Sequence, residues 1–206
     1  MVIAGVVLCG GQSRRMGQSK LSLPFGDESM LARVVRLVRQ VVEPVVVVAA
    51  IGQELPELPP GVLVARDRHA GRGPLEGLAV GLAALGDRAD AAFVCACDVP
   101  LLLPGFIRRT IQLAEGYDVA IPCVNGVYEP LAAVYRTSVL PHVESLLDAG
   151  RLRPIELLDI VRTRRITAAE LTDVDPELLS LANVNSPADY LAALKRAAAQ
   201  PLASAQ

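Results

Sequence analysis

The chain has 206 residues, of which 52% are hydrophobic and 20% charged, and its formal net charge at pH 7 is −2. This length suffices for one sizeable hydrophobic core, and the apolar content excludes a disordered chain. The near-neutral charge argues against a general nucleic-acid-binding protein, because such proteins carry an excess of positive charge. No apolar run reaches the roughly 18 residues of a membrane span, so we expect a cytoplasmic protein that binds neither nucleic acid nor membrane.

Short β-branched runs alternate with helical segments in the first half of the chain. Strands are predicted at residues 2–8, 45–50, 62–65 and 92–96, where each run is apolar throughout. Helices are predicted at residues 29–42 with Ser29 as the N-cap, at 74–85 with a proline at the start, and at 104–115. Strands that are apolar on both faces and separated by helices indicate a mainly parallel sheet covered on both sides.

The second half of the chain begins with a turn signal. Asn125-Gly126 separates two apolar runs at 118–121 and 131–135, so we expect one strand to run antiparallel to the others. Most of the remainder has a helical pattern, which ends in an Ala-rich helix at 187–199. The predicted fold is a doubly wound α/β fold, with a mainly parallel sheet and one antiparallel strand. We expect residues 1–200 to form a single domain and 201–206 a frayed tail.

A glycine-rich, basic loop follows the first predicted strand. It reads Leu8-Cys9-Gly10-Gly11-Gln12-Ser13-Arg14-Arg15-Met16-Gly17, with Lys20 close behind. Ligands of doubly wound sheets bind beyond the carboxyl ends of strands, and the backbone N–H groups of glycines approach anions closely. The loop therefore suits a polyphosphate, although its spacing matches neither the Walker A motif nor the G-x-G-x-x-G dinucleotide motif.

This loop resembles the L-x-G-G-x-S-x-R-M-G-x-x-K signature of the nucleotidyltransferases, and within them it is most similar to the molybdenum cofactor guanylyltransferases. The resemblance implies a Rossmann-like nucleotidyltransferase fold in which the loop wraps a nucleoside triphosphate. The residues that it assigns to nucleotide binding are Leu8, Cys9, Gly10, Gly11 and Lys20. Arg15 and Lys20 take catalytic roles, since they would neutralise charge on a leaving pyrophosphate.

Two carboxylates follow other predicted strands. Asp98 ends the apolar run at 93–97, where a carboxylate beside a triphosphate suits Mg²⁺. This stretch resembles the family's C-D-x-P pattern, which gives Asp98 metal-binding, nucleotide-binding and catalytic roles. Asp67 lies in a segment that resembles the family's E/D-x-x-x-x-x-G-P-L-x-G pattern, in which the acidic residue contacts the nucleotide. The alternatives are a helix cap or turn for Asp98 and an ordinary loop carboxylate for Asp67.

Two asparagines and a group of arginines occupy the last third of the chain. Asn183 and Asn185 belong to a stretch that resembles the N-x-N-T-P segment before the last helix of this family. They are candidates for an acceptor or metal site, and the alternative is that they form a turn or cap. The arginines, which would attract an anionic acceptor or lie on solvated helix faces, are Arg151, Arg153, Arg162, Arg164 and Arg165.

The function implied by the resemblance is transfer of GMP from GTP to the terminal phosphate of molybdenum-molybdopterin, with Mg²⁺ as cofactor and release of pyrophosphate. The implied partners are GTP, a molybdopterin-type acceptor and, through transient docking, molybdenum-insertion or target enzymes. Guanylyltransferases often place asparagine or serine after the second strand to recognise the base, whereas residues 47–50 here, including Val48, are all apolar. The alternative is therefore a related enzyme, either a molybdopterin cytidylyltransferase or a sugar-phosphate nucleotidyltransferase.

Overall fold

An eight-stranded mixed sheet forms the centre of the computed structural model, which describes residues 1–10 and 20–199. The predictions for Gly11 and Arg15, and for the tail at 201–206, lie outside these residues. No helix within the two described ranges has both the length and the apolar character needed to cross a membrane. The cytoplasmic location stays a prediction.

Strands and helices are interspersed along the whole chain. The strands are β1 (Ile3–Leu8), β2 (Pro24–Phe25), β3 (Glu28–Ser29), β4 (Val45–Ala49), β5 (Leu63–Arg66), β6 (Ala91–Ala96), β7 (Val119–Val124), β8 (Val127–Tyr128), β9 (Ala132–Arg136) and β10 (Thr163–Thr167). The α-helices are α1 (Met30–Arg39), α2 (Gly73–Leu85), α3 (Pro104–Leu113), α4 (Leu140–Asp148) and α5 (Pro187–Ala199). Each predicted strand and helix of the first half is present, with ends that differ by a few residues. Ser29 is the N-cap of α1, as predicted, and its Oγ accepts a hydrogen bond from the Ala32 N–H at 3.2 Å.

The strands of the main sheet run mostly in one direction. Their order is β5-β4-β1-β6-β9-β7-β10, and β8 pairs with β7. The neighbours β5, β4, β1 and β6 are parallel, as are β7 and β10. Strand β9 is antiparallel to both β6 and β7, and the Asn125-Gly126 turn joins β7 to the two-residue β8. The predicted doubly wound α/β fold is confirmed.

Helices cover both faces of this sheet. Along β1 the side chains alternate, so Val7 packs in a cluster with α1 and α3, whereas Val6 packs in a second cluster with α2 and α4. Helix α2 lies close to β1, because a Cβ atom at Gly81 would come within 2.5 Å of Val6 Cγ1. Gly77, nearer the start of α2, faces Leu8 at the end of β1, so the N-terminus of α2 lies at the carboxyl edge of the sheet.

A smaller cluster attaches the C-terminal helix to the rest of the chain. Phe25 and Met30 from the β2–β3 hairpin and α1 pack with Leu179, Val184 and Ala193. The hydroxyl of Tyr190 in α5 also donates a hydrogen bond to the Pro24 carbonyl. The last helix is thereby held beside the segment that begins at Lys20.

Candidate active site

The order of the strands reverses at β1, which marks a position where such sheets bind ligands. From β1 the chain adds β4 and β5 on one side and β6 on the other. Ligands of open α/β sheets bind beyond the carboxyl ends of the strands at such a switch point. Leu8 and Ala96, the last residues of β1 and β6, are register partners. The segments that carry Gly10 and Asp98 therefore leave the sheet side by side.

The first residues of the glycine loop present their backbone rather than their side chains. Leu8 and Cys9 are 5% and 2% exposed, and the Cys9 N–H donates to the Val48 carbonyl at 2.7 Å. A hydrogen bond with Cys97, and then burial, raise the pKa of the Cys9 thiol well above its ordinary value. Gly10 is exposed. Leu8 and Cys9 can thus contribute to a ligand site through main-chain groups alone.

Three of the predicted site residues meet at this edge. The Lys20 ammonium donates to Asn185 Oδ1 at 2.9 Å and lies 3.4 Å from Asp98 Oδ2. The Lys20 and Asp98 side chains are 17% and 19% exposed, so they are shielded from bulk water and still open to a ligand. A cation, a carboxylate and an amide oxygen thus lie close together beyond the ends of β1 and β6.

The surroundings of Asp98 suit a divalent metal. Burial raises the pKa of the Asp98 carboxyl, and the Lys20 ammonium offsets part of that shift. Mg²⁺ commonly takes one or two protein carboxylates and completes its coordination with phosphate oxygens and water. Across residues 1–10 and 20–199, no group of three or more His, Cys, Asp or Glu side chains is placed to hold a metal ion. One carboxylate with an amide oxygen nearby fits a metal that the substrate phosphates would help to bind.

The start of α5 fixes the position of Asn185. The Val184 N–H donates to the Asp98 carbonyl at 2.8 Å, which ties this segment to the end of β6. Asp189 Oδ2 accepts hydrogen bonds from the N–H groups of Asn185 and Ser186 at 3.0 and 2.8 Å. Asn183 is exposed, and its side chain has no hydrogen-bond partner in the part of the chain that the structure describes. The structure therefore brings Asn185, but not Asn183, into contact with Lys20.

Asp67 follows β5, on the opposite side of β1 from Asp98 at the end of β6. Its N–H donates to the Ala49 carbonyl at 2.9 Å, and a Cβ atom at Gly10 would lie 3.6 Å from its Oδ2. Burial, and then the nearby charge of Glu76, raise the pKa of the Asp67 carboxyl. This half-buried carboxylate therefore faces Gly10 at the start of the loop.

Two residues that the sequence analysis did not single out hold this part of the site in place. Glu76 is 2% exposed, and its Oε1 accepts hydrogen bonds from the Arg68 and His69 N–H groups, both at 3.1 Å. The Gln53 side chain accepts from the Ala50 N–H at 2.9 Å and donates to the Cys9 carbonyl at 3.0 Å. Glu76 could have been identified from the sequence, because it is the single charged residue in an otherwise apolar helix. Gln53 had no such signal, because its partner Cys9 lies 44 positions away in the sequence.

Known proteins resemble this chain over most of its length. Residues 5–163 match the family model described as MobA-like NTP transferase domain. A probable molybdenum cofactor guanylyltransferase of Mycobacterium ulcerans is 42% identical over 198 residues, which cover 94% of each chain. A protein of the same description from Pelotomaculum thermopropionicum is 35% identical over 189 residues, which cover 92% of this chain and 90% of that one. The crystal structure of molybdopterin-guanine dinucleotide biosynthesis protein A from Archaeoglobus fulgidus has the same fold, with a TM-score of 0.78 at 23% identity over 97% of this chain and 100% of that one.

Proposed function

The chain belongs to the family of MobA-like NTP transferase domains, and on that premise we propose that it transfers GMP from GTP to the terminal phosphate of a molybdopterin-type acceptor. The observation that carries the proposal is the contact of Lys20 with both Asp98 and Asn185 at the switch point of the sheet. The descriptions of the relatives at 35% and 42% identity support guanine as the base. Transient docking with molybdenum-insertion or target enzymes stays a prediction.

The proposed reaction exchanges one bond at the α-phosphorus of GTP. An oxygen of the acceptor phosphate forms the new P–O bond, the bond to the β-phosphate breaks, and pyrophosphate leaves with the bonding electron pair. The attacking phosphate is already an anion, so the reaction needs no strong general base. Alignment and neutralisation of charge then supply most of the catalysis. Lys20 would neutralise phosphate charge, and Arg15, outside the described residues, stays a predicted second cation.

Mg²⁺ is the proposed cofactor, and Asp98 is the residue that would hold it, with Asn185 beside it. When bound, Mg²⁺ would offset the negative charge of the phosphates. The Lys20 ammonium already neutralises part of the Asp98 charge at 3.4 Å. This interaction favours the ionised form of Asp98, which is the form that a metal ion would bind.

The nucleotide and the acceptor approach from opposite sides in this proposal. Gly10, Gln53 and Asp67 lie toward β4 and β5, which we assign to the nucleotide. Asp98 and Asn185 lie at the end of β6, next to β9, which we assign to the acceptor phosphate. The α-phosphate of the nucleotide would then lie between the nucleotide side and the acceptor side of the site, within reach of Lys20.

A related transferase with another base is the second candidate. Val48 is 1% exposed, and residues 47–50 offer no polar side chain to a base, which favours this alternative. In that case the same cation and carboxylate would serve CTP or a sugar-phosphate substrate. The choice between the two candidates therefore depends on the base.

Titration calorimetry with GTP, CTP, ATP and UTP, each with Mg²⁺, tests the proposal. We expect a preference for GTP, and Lys20→Ala should weaken binding about tenfold or more, because a hydrogen bond to a charged group is lost. Lys195→Ala is the matched control, since Lys195 is exposed on α5. A preference for CTP or UTP would support the second candidate. Binding of no nucleotide would refute both.

A further inference from the structure

One arginine of α1 reaches the segment that carries Asp98. Arg33 lies in the first turn of this helix, and its Nε donates a hydrogen bond to the Pro100 carbonyl at 2.7 Å. Pro100 is buried, and within residues 1–10 and 20–199 no other donor reaches its carbonyl oxygen. A buried carbonyl without a donor is unfavourable. Because Pro100 comes two residues after Asp98, this bond fixes the segment in which Asp98 leaves β6.

The rest of the Arg33 guanidinium contacts the hairpin of β2 and β3. It lies over the Phe25 ring at 4.7 Å from the ring centroid, and its Nη1 is 3.6 Å from Glu28 Oε1. The Arg33 side chain is only 21% exposed, so these contacts are better shielded from water than those of a surface arginine. One planar group thus joins the segment after β6 to the β2–β3 hairpin.

Lys20 is attached to the same helix through the start of this hairpin. The Leu23 N–H donates to the Lys20 carbonyl at 3.3 Å, and the Met30 N–H donates to the Leu23 carbonyl at 2.9 Å. Met30 is the first residue of α1. The helix that carries Arg33 therefore also holds the backbone of Lys20.

The segment of Asn185 is attached to the hairpin through an aromatic pair. The rings of Phe25 and Tyr190 pack edge to face, with their centroids 6.4 Å apart. Tyr190 belongs to α5, which begins two residues after Asn185. Arg33 contacts the other member of this pair, so it lies between the segment of Asp98 and the support of Asn185.

We propose that Arg33 is a positioning residue of this site, which holds the Asp98 carboxylate in place beside Lys20 and Asn185. It acts through the Pro100 carbonyl and not on the ligand. Without this hydrogen bond the segment after β6 can shift, and Asp98 loses its alignment. Because Mg²⁺ requires oxygen ligands at closely defined positions, a shifted Asp98 would bind it less well. The effect on metal binding rests on the proposed function, whereas the contacts of Arg33 do not.

Two substitutions at Arg33 separate its hydrogen bond from its charge. The Nε2 of glutamine occupies the same place along the side chain as the Nε of arginine. Arg33→Gln therefore keeps a donor for the Pro100 carbonyl and loses the guanidinium, whereas Arg33→Met keeps an apolar stem and has no donor. Arg36→Met is the matched control, because Arg36 lies on the same helix and pairs with the same Glu28 carboxylate at 2.6 Å.

Calorimetric titration of GTP at a series of Mg²⁺ concentrations measures the metal requirement. We expect Arg33→Met to raise the Mg²⁺ concentration for half-maximal GTP binding about tenfold, and Arg33→Gln and Arg36→Met to stay within about twofold of the wild type. A residue that only stabilises the fold would lower the melting temperature of Arg33→Met and leave its Mg²⁺ requirement unchanged. That result would overturn the proposal, as would an equal effect of Arg36→Met.

Hydrogen exchange of the Val184 amide tests the same role without any ligand. The Val184 N–H donates to the Asp98 carbonyl at 2.8 Å, so its exchange rate reports whether Asp98 is in place. We expect exchange about tenfold faster in Arg33→Met and near the wild-type rate in Arg33→Gln. Unchanged exchange in Arg33→Met would overturn the proposal. If the wild type binds no GTP, the proposed function fails, while faster exchange of Val184 in Arg33→Met still supports Arg33 as the residue that positions Asp98.

Discussion

Asn185 accepts a hydrogen bond from the Lys20 ammonium at 2.9 Å, although 165 positions separate the two residues in the chain. The same ammonium lies at the longer distance of 3.4 Å from Asp98. Asn185 therefore takes part of the interaction that Asp98 would otherwise receive alone. The Asp98 carboxylate thus lies near the Lys20 ammonium but shares its interaction with Asn185.

Asn185→Ala should raise the Mg²⁺ concentration needed for nucleotide binding about tenfold. Without its second acceptor, Lys20 moves onto Asp98 and competes with the metal there. Asn183→Ala is the matched control, because Asn183 is exposed and does not contact Lys20. Titration of GTP binding against Mg²⁺ measures the effect. Equal shifts in the two variants would contradict this role for Asn185.

Glu76→Ala should lower the free energy of unfolding by about 2–4 kcal/mol. The substitution leaves the N–H groups of Arg68 and His69 without their buried acceptor. Glu76→Gln retains an oxygen acceptor and should lose less. Glu144→Ala serves as the control, since Glu144 forms a half-exposed ion pair with Arg68 and should change stability by less than about 1 kcal/mol. Urea unfolding measures all three variants, and equal losses for Glu76→Ala and Glu144→Ala would refute the prediction.

Asp67→Asn should stabilise the free protein at neutral pH and weaken GTP binding. The pKa of Asp67 is raised in the folded state, so folding disfavours its ionised form. The free energy of unfolding of the wild type therefore falls as the pH rises from the ordinary carboxyl pKa through the raised pKa of Asp67. The gain in melting temperature of Asp67→Asn should be present at pH 7.5 and shrink toward pH 4. Asp87→Asn is the control, because Asp87 is exposed. A gain in melting temperature for Asp67→Asn that does not change with pH would contradict the prediction.

Gln53→Leu should weaken binding of GTP with Mg²⁺ several-fold while the fold persists. The side-chain amide links the end of β4 to the Cys9 carbonyl, and two hydrogen bonds of about 1 kcal/mol each are lost without it. Gln53→Glu keeps the acceptor for Ala50 and loses the donor to Cys9, so it separates the two contacts. Calorimetry should show no change for Gln112→Leu, which alters an exposed position on α3. An unchanged affinity of Gln53→Leu would show that the link does not position the loop.

The strands nearest the site were predictable because their physical signal is strong. β1, β4 and β6 are buried on both faces, so each appears as a continuous apolar run. β10 escaped prediction because it reads Thr-Arg-Arg-Ile-Thr and lies at the sheet edge, where Ile166 is its buried residue. An edge strand receives its hydrogen bonds from one neighbour and needs little apolar surface. Its sequence therefore carries little evidence of its structure.

The candidate site was predictable where a residue directly follows a strand. Asp98 and Gly10 have that position, and the parallel pairing of β1 and β6 brings them together. Lys20 and Asn185 were connected only through resemblance to a family, since no local pattern relates residues so distant in sequence. The contact of Gln53 with Cys9 is likewise a product of the assembled sheet. Local sequence predicts elements well, and contacts between loops depend on how those elements are arranged.

The attachment of Val184 to Asp98 has a consequence for how the protein becomes active. The pieces around Asp98 come from the beginning, the middle and the end of the chain, and loop-closure entropy makes such distant contacts slow to form. During synthesis, the segment with Asn185 leaves the ribosome after every strand of the sheet has been made. In refolding, the metal-dependent affinity for nucleotide should therefore recover after the sheet has formed. Catalytic competence is thus a late folding event, reached when the last helix docks.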